Sequence, residues 1–384
     1  MAHISSIRFP KNNILSIPIF LQLYLLLAFK GFQVVKNIKV KTKNFVTAIP
    51  EVTPPEVKHR SFTVDNFRLL GALTVIILHT IHFEDVPQGI FFGIKNLTRW
   101  AVPFFFLVSG FYFEKAYSSE PGIALTKRLK NLIGIFISVN IIYFFFSLYE
   151  GTPLTANFSI STLILGFYHH LWFIGAMIFG YLFMWFVLEQ KPSAKALLTI
   201  IVASLLFVLF TGSYARVLGL YEPNTAYSRT LIAIPFLLTG FFCARYKLLN
   251  RINLPVAFII TIVGIFLQLA EPFVLYYTIK DFSPVGNDLL FGTVFFSIGM
   301  FLLAMKINNP KDTLTTKFGR DYSLLLYLYH PLIMGLLPWA ALSGHYSFSW
   351  LKPLIVFAIC TFLIVFLDKK MPPVYRFING SSWK

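Results

Sequence analysis

A histidine and an arginine stand at one spacing inside a run of chain that otherwise has no use for polar groups. The segment FRLLGALTVIILHTIHF, residues 67–83, is apolar except for Arg68 near its start, His79 eleven residues on, and His82. Eleven steps of about 100° make about three turns and a rise of about 16 Å, so Arg68 and His79 share one helix face. A second run, DYSLLLYLYHPLI, carries His330 at a similar depth from its own polar end. Imidazole exchanges protons near neutral pH, and two at one level, one accepting and one donating, suit acid-base work on a hydroxyl. A lone intramembrane histidine serves equally well as a hydrogen bond to a neighbouring helix, so the pair carries the expectation rather than either ring.

Other residue types extend the pattern. RWAVPFFFLVSGFYF, residues 99–113, ends in Ser109-Gly110, which fits either a small-residue packing contact or a polar lining. Just beyond, TKRLK gathers Lys127, Arg128 and Lys130, a charge run that sets topology or holds the phosphates of a soluble donor. Asn96, Arg99, His170, Trp172 and Arg229 fall toward the opposite ends of their spans, near Glu84, Asp85, Glu150 and His169. Such a vestibule could grip a sugar or other polyol, although loop solvation explains most of these residues as well. Cys243 and Cys360 both lie in apolar runs, which argues against a disulfide framework and a structural zinc site, and no metal is expected.

The elements that position these residues are membrane helices. Of 384 residues 57% are hydrophobic and 13% charged, with a mean hydropathy of +0.70, more apolar surface than a soluble domain could hide. Apolar runs long enough to cross about 30 Å of hydrocarbon fall near residues 67–83, 89–113, 131–149, 170–188, 196–214, 228–244, 254–275, 286–306, 322–342 and 349–367. The sequence therefore predicts an all-α polytopic membrane helical bundle of about ten transmembrane helices. The formal charge of +17 belongs to loops rather than to nucleic-acid binding. Lys and Arg concentrate after the second, fourth, sixth and eighth spans and in the C-terminal tail, which predicts a cytoplasmic C-terminus. Residues 1–62 read as an N-terminal extension, with a possible short helix over Ile14 to Phe29 and a basic linker over Lys30 to Arg60. Residues 63–368 form the ten-helix domain and 369–384 a short basic tail. No Walker or Gly-x-Gly-x-x-Gly loop occurs, which disfavours an ATP-driven pump.

Arg68-x10-His79, PFFFLVSGF at 103–111, His170-Leu-Trp at 170–172 and SLLLYLYH at 323–330 follow one another in an informative order. In these motifs the chain resembles the acyltransferase type 3 family of integral-membrane O-acyltransferases. The stretch 79–106 is also similar to the membrane domain of membrane-bound serine/alanine racemases. The first resemblance implies transfer of an acyl group, usually acetyl, from cytoplasmic acyl-CoA to a hydroxyl of a cell-surface glycan or lipid-linked sugar, in a bacterial plasma membrane. It further implies that His79 is the catalytic histidine and Arg68 its partner. Lys127, Arg128, Lys130 and Ser109 would then face acyl-CoA, and Asn96, Arg99, His170, Trp172 and Arg229 the acceptor. One departure is visible: where the family often has Arg-x-x-Arg, this chain reads Arg128-Leu-Lys-Asn131. The alternative from a different class is a transporter or exporter of a small polar solute.

Overall fold

The structure, a computed structural model, describes residues 61–81, 86–151, 162, 165–219, 225–280, 282–307, 311–337 and 346–383. The expected helix at 14–29, the basic linker and the outward residues His82, Glu84 and Asp85 lie outside the described residues. Within them all regular structure is helical. The helices are α1 (Phe62–Thr80), α2 (Gln88–Leu97), α3 (Ala101–Ser119), α4 (Pro121–Tyr149), α5 (Trp172–Glu189), α6 (Ala194–Thr211) and α7 (Thr225–Leu231). Then come α8 (Ala233–Arg245), α9 (Leu254–Thr278), α10 (Phe291–Lys306), α11 (Leu314–Asp321), α12 (Ser323–Leu336), α13 (Tyr346–Lys370) and α14 (Pro372–Ile378). Among the described residues seven helical segments are long and apolar enough to cross a membrane, with α10 and α12 as shorter apolar helices.

Several predicted spans are broken, and prolines explain where. The run 89–113 is two helices: Pro103 cannot donate to a preceding turn and lies in the first turn of a new helix, α3, where that N–H is not needed. The sixth span divides likewise at Ile232, with Pro235 in the first turn of α8. The ninth stops at Leu336 rather than at 342. The tail is itself folded: α14 follows α13, the Tyr329 hydroxyl donates to the Ile378 carbonyl at 2.9 Å, and Trp383 Nε1 donates to Ser138 Oγ at 2.8 Å.

The bundle is organised around α5, which is buried along most of its length, whereas α9 turns Ile262 and Phe266 outward at 63% and 68% exposure. With Phe258 and Ile259 exposed on the same helix, they form a contiguous apolar face of the kind that lies against lipid. Inside a bilayer helices gain little from excluding water, so close backbone approach must hold them together. Between α3 and α8 it does: a side chain at Gly110 would strike the Leu237 backbone, and one at Gly240 the backbone of Leu107. The bland reading of Ser109-Gly110 therefore holds for Gly110.

Candidate functional site

Four histidines converge at the end of the bundle where α1 finishes. The His79 ring lies 5.3 Å from that of His330 and 5.3 Å from that of His169, and His170 lies 5.7 Å from His330, centroid to centroid. His170 and His330 are fully buried, His79 is partly open and His169 is exposed. The sequence sets His79 and His330 at one depth and His170 in the outer vestibule with His169 near it; the structure brings all four rings together.

Pro331 explains how the two buried rings are held. Lacking an N–H, it leaves the Tyr327 carbonyl without its helical donor, and His330 Nδ1 donates to that oxygen at 2.7 Å and to Leu326 O at 3.3 Å. One residue on, the Leu332 N–H turns to the Tyr143 hydroxyl at 3.2 Å, which frees the Leu328 carbonyl. That oxygen accepts from the Tyr143 hydroxyl at 2.8 Å and from His170 Nε2 at 2.8 Å. Tyr327 closes the brace by donating to the His170 carbonyl at 2.9 Å. Carbonyl oxygens only accept, so these partners assign the proton of His330 to Nδ1 and that of His170 to Nε2. His330 Nε2 and His170 Nδ1 are then lone-pair acceptors, both buried and without a partner among the described residues.

Arg68 is elsewhere. It shares α1 with His79, but the axial rise of about 16 Å between them places it at the other end, where Nη1 meets Asp65 Oδ1 at 3.0 Å and the guanidinium lies 5.6 Å from the Tyr112 ring. Arg68 and Arg128 both reach the Tyr181 hydroxyl electrostatically, and that hydroxyl donates to the Ser109 carbonyl at 3.2 Å. Lys127, Arg128 and Lys130 are exposed. Arg68, Ser109 and Arg128 therefore belong to one end of the bundle, and the histidines to the other. Asp65, three residues before Arg68 on the same helix, is a partner that the i,i+3 spacing alone could have signalled.

Of the remaining expected site residues, Arg99 and Arg229 share Asp288. Arg99 Nη1 meets Oδ1 at 3.0 Å, Arg229 Nε meets Oδ2 at 2.6 Å, and Arg99 also donates to the Val285 carbonyl. Asn96 Nδ2 donates to Phe92 O at 2.9 Å and Pro284 O at 3.0 Å, so its amide anchors the same loop. Arg229 lies 5.8 Å from the Trp172 ring. Burial alone would raise the Asp288 carboxyl, but Arg229 and Arg99 outweigh it and hold the group below the usual carboxylate range. His169 is held below the usual imidazole range by partial desolvation and then by the Arg229 charge. Asp288 carries no local signal, because its pairing exists only once α7 and the chain ahead of α3 meet the loop before α10.

A family model described as an acyltransferase domain matches residues 62–368, a span that includes every residue named above for either end. The chain belongs to the acyltransferase type 3 family. This acyltransferase-family chain is also similar to an amino-acid racemase of Enterococcus faecalis, 26% identical over 80% of the chain and 45% of the relative. A serine/alanine racemase of Enterococcus gallinarum is 24% identical over 70% of the chain and 40% of the relative. The chain thus spans less than half the length of these curated relatives. No solved structure matches.

Proposed function

We propose that the protein is an integral-membrane O-acyltransferase, moving an acyl group, most simply acetyl, from cytoplasmic acyl-CoA to a hydroxyl of a cell-surface glycan or lipid-linked sugar. The observation that carries this reading is the His79–His330 pair, with rings 5.3 Å apart and a buried lone pair fixed on His330 Nε2. His79, the more open ring, takes the proton of the acceptor hydroxyl as its oxygen attacks the thioester carbonyl. The new C–O bond forms, the C–S bond breaks, and the proton passes to the departing thiolate of CoA. His330 packs against His79 and its Nε2 offers a second acceptor. At the opposite end Arg68, poised by Asp65, and the Lys127, Arg128 and Lys130 cluster meet the anionic head of the donor. The axial rise of about 16 Å between Arg68 and His79 suits an extended thioester arm reaching from the cytoplasmic face. Labelled acetyl-CoA offered to the protein in liposomes with crude surface glycan tests the reading: label in glycan supports it, and glycan without label sinks it.

A second reading has one observation in its favour. A helix whose backbone ladder lacks a donor at an internal proline is one way to offer carbonyls to a solute path, and α12, with Pro331 inside it, is such a helix. A transporter of a small polar solute, such as the amino acids in the relatives' names, would show counterflow in proteoliposomes without any acetyl-CoA.

A further inference from the structure

At the histidine end one carboxylate serves two guanidiniums. Asp288 Oδ1 takes Arg99 Nη1 at 3.0 Å and Arg229 Nη2 at 3.4 Å, while Oδ2 takes Arg229 Nε at 2.6 Å. A partly buried group of two cations and one anion is left with a positive charge in excess, a costly arrangement where only packing is required. The two arginines are not equivalent. Arg99 is 14% exposed and its Nε, enclosed and without a partner among the described residues, belongs to the wall. Arg229 is 32% exposed, lies against Trp172, and among the described residues its five donors meet no hydrogen-bond acceptor other than Asp288. Its charge reaches His169, whose ring is 5.3 Å from His79.

We propose that Arg229, posed by Asp288 and Trp172, binds an oxyanion of the acceptor, so that the acceptor is an acidic or phosphate-linked saccharide rather than a neutral one. A guanidinium already fixed through Nε presents its outer N–H pair as a fork that matches a carboxylate or phosphate. The indole of Trp172 offers the adjoining flat apolar face on which a sugar ring can rest. The proposal rests on the acyl-transfer reading only for the role of the bound molecule as acceptor. The anion site itself stands on the geometry of Arg229.

Two measurements test it separately. In the first, thermal unfolding of the purified protein is followed with galacturonate, glycerol phosphate or galactose at equal concentration and ionic strength. Arg229→Gln leaves Arg99 and Asp288 as a balanced pair and so keeps the fold, which its own melting curve without ligand verifies. One or both anions should raise the melting temperature of the wild type but not of Arg229→Gln, with Arg229→Lys in between, and galactose should not discriminate. Equal shifts in wild type and Arg229→Gln, or no shift from either anion, overturn the site. In the second, labelled surface glycan from the acetyl-CoA experiment is separated by anion exchange, before and after carboxyl reduction or phosphodiester cleavage. Label should sit in the charged fraction, move with whichever treatment removes the recognised anion, and fall roughly ten- to hundredfold in Arg229→Gln, as expected for a lost charged hydrogen bond. Label in the neutral fraction overturns the proposal. Label in no fraction overturns the acyl-transfer reading instead, while the melting experiment still decides the anion site.

Discussion

Asp288 shows at the scale of single residues how charge and burial set a pH response. Its folded carboxyl titrates below the ordinary range because Arg229 and Arg99 favour the ionised form more than burial opposes it. A depressed carboxyl contributes stability that is fully present above its unfolded pKa, near 4, and is lost as pH falls through the folded value. Acid melting curves in detergent should therefore hold steady to about pH 4 and fall below it. Asp288→Asn should lack that acidic component and lose about 3–5 kcal/mol already at neutral pH, because two guanidiniums are left facing each other. Arg229→Gln should cost about 1 kcal/mol or less, since a neutral pair remains. Equal losses in the two variants would show that the charges are not arranged as two against one. The residue scale is also where the sequence spoke most clearly: His79 and His330 were conspicuous as polar groups in apolar runs. Asp288 and Tyr143 were not, because a carboxylate at the edge of the run 286–306 and a tyrosine in an aromatic-rich helix look ordinary until their partners arrive from elsewhere in the chain.

At the scale of elements, the missing N–H of Pro331 turns a plain membrane helix into a holder for two imidazoles. Tyr143 occupies the gap in the ladder, giving its proton to Leu328 O and taking one from Leu332 N–H. Tyr143→Phe should cost about 1–3 kcal/mol in thermal unfolding through the unsatisfied Leu332 N–H and should lower acyl transfer as well, because the Leu328 carbonyl that accepts from His170 Nε2 loses the hydroxyl that fixes it. Pro331→Ala restores a helical donor to Tyr327 O, in competition with His330 Nδ1. It should leave the melting temperature unchanged or raised while transfer falls; unchanged transfer would mean that the proline positions nothing. Gly110→Leu should yield no folded protein by size-exclusion chromatography, since α3 and α8 meet backbone to backbone there. Span existence was legible because apolar length is a sequence property. The divisions at Thr98–Trp100 and Ile232 were less so, because a proline near the middle of an apolar run marks a kink or a new start equally well until packing chooses.

For the whole molecule, the two ends divide the labour. Cations and the Asp65–Arg68 pair occupy one, histidines and the Asp288 group the other, with the α1 axis connecting them. The charge bias of the loops predicts a cytoplasmic position for the first end. With Cys243 and Cys360 changed to serine, a cysteine at Lys127 should react with a membrane-impermeant maleimide only after cells are opened, and one at Glu150 in intact cells. The reverse pattern would put acyl-CoA on the wrong side of the membrane. The central claim, that acyl transfer runs through His79, is met most directly by labelled acetyl-CoA turnover in liposomes, wild type beside His79→Ala, with surface glycan present and the fold of both proteins verified by melting. The account predicts label in glycan from the wild type and none above background from His79→Ala. Equal transfer by the two proteins would contradict it.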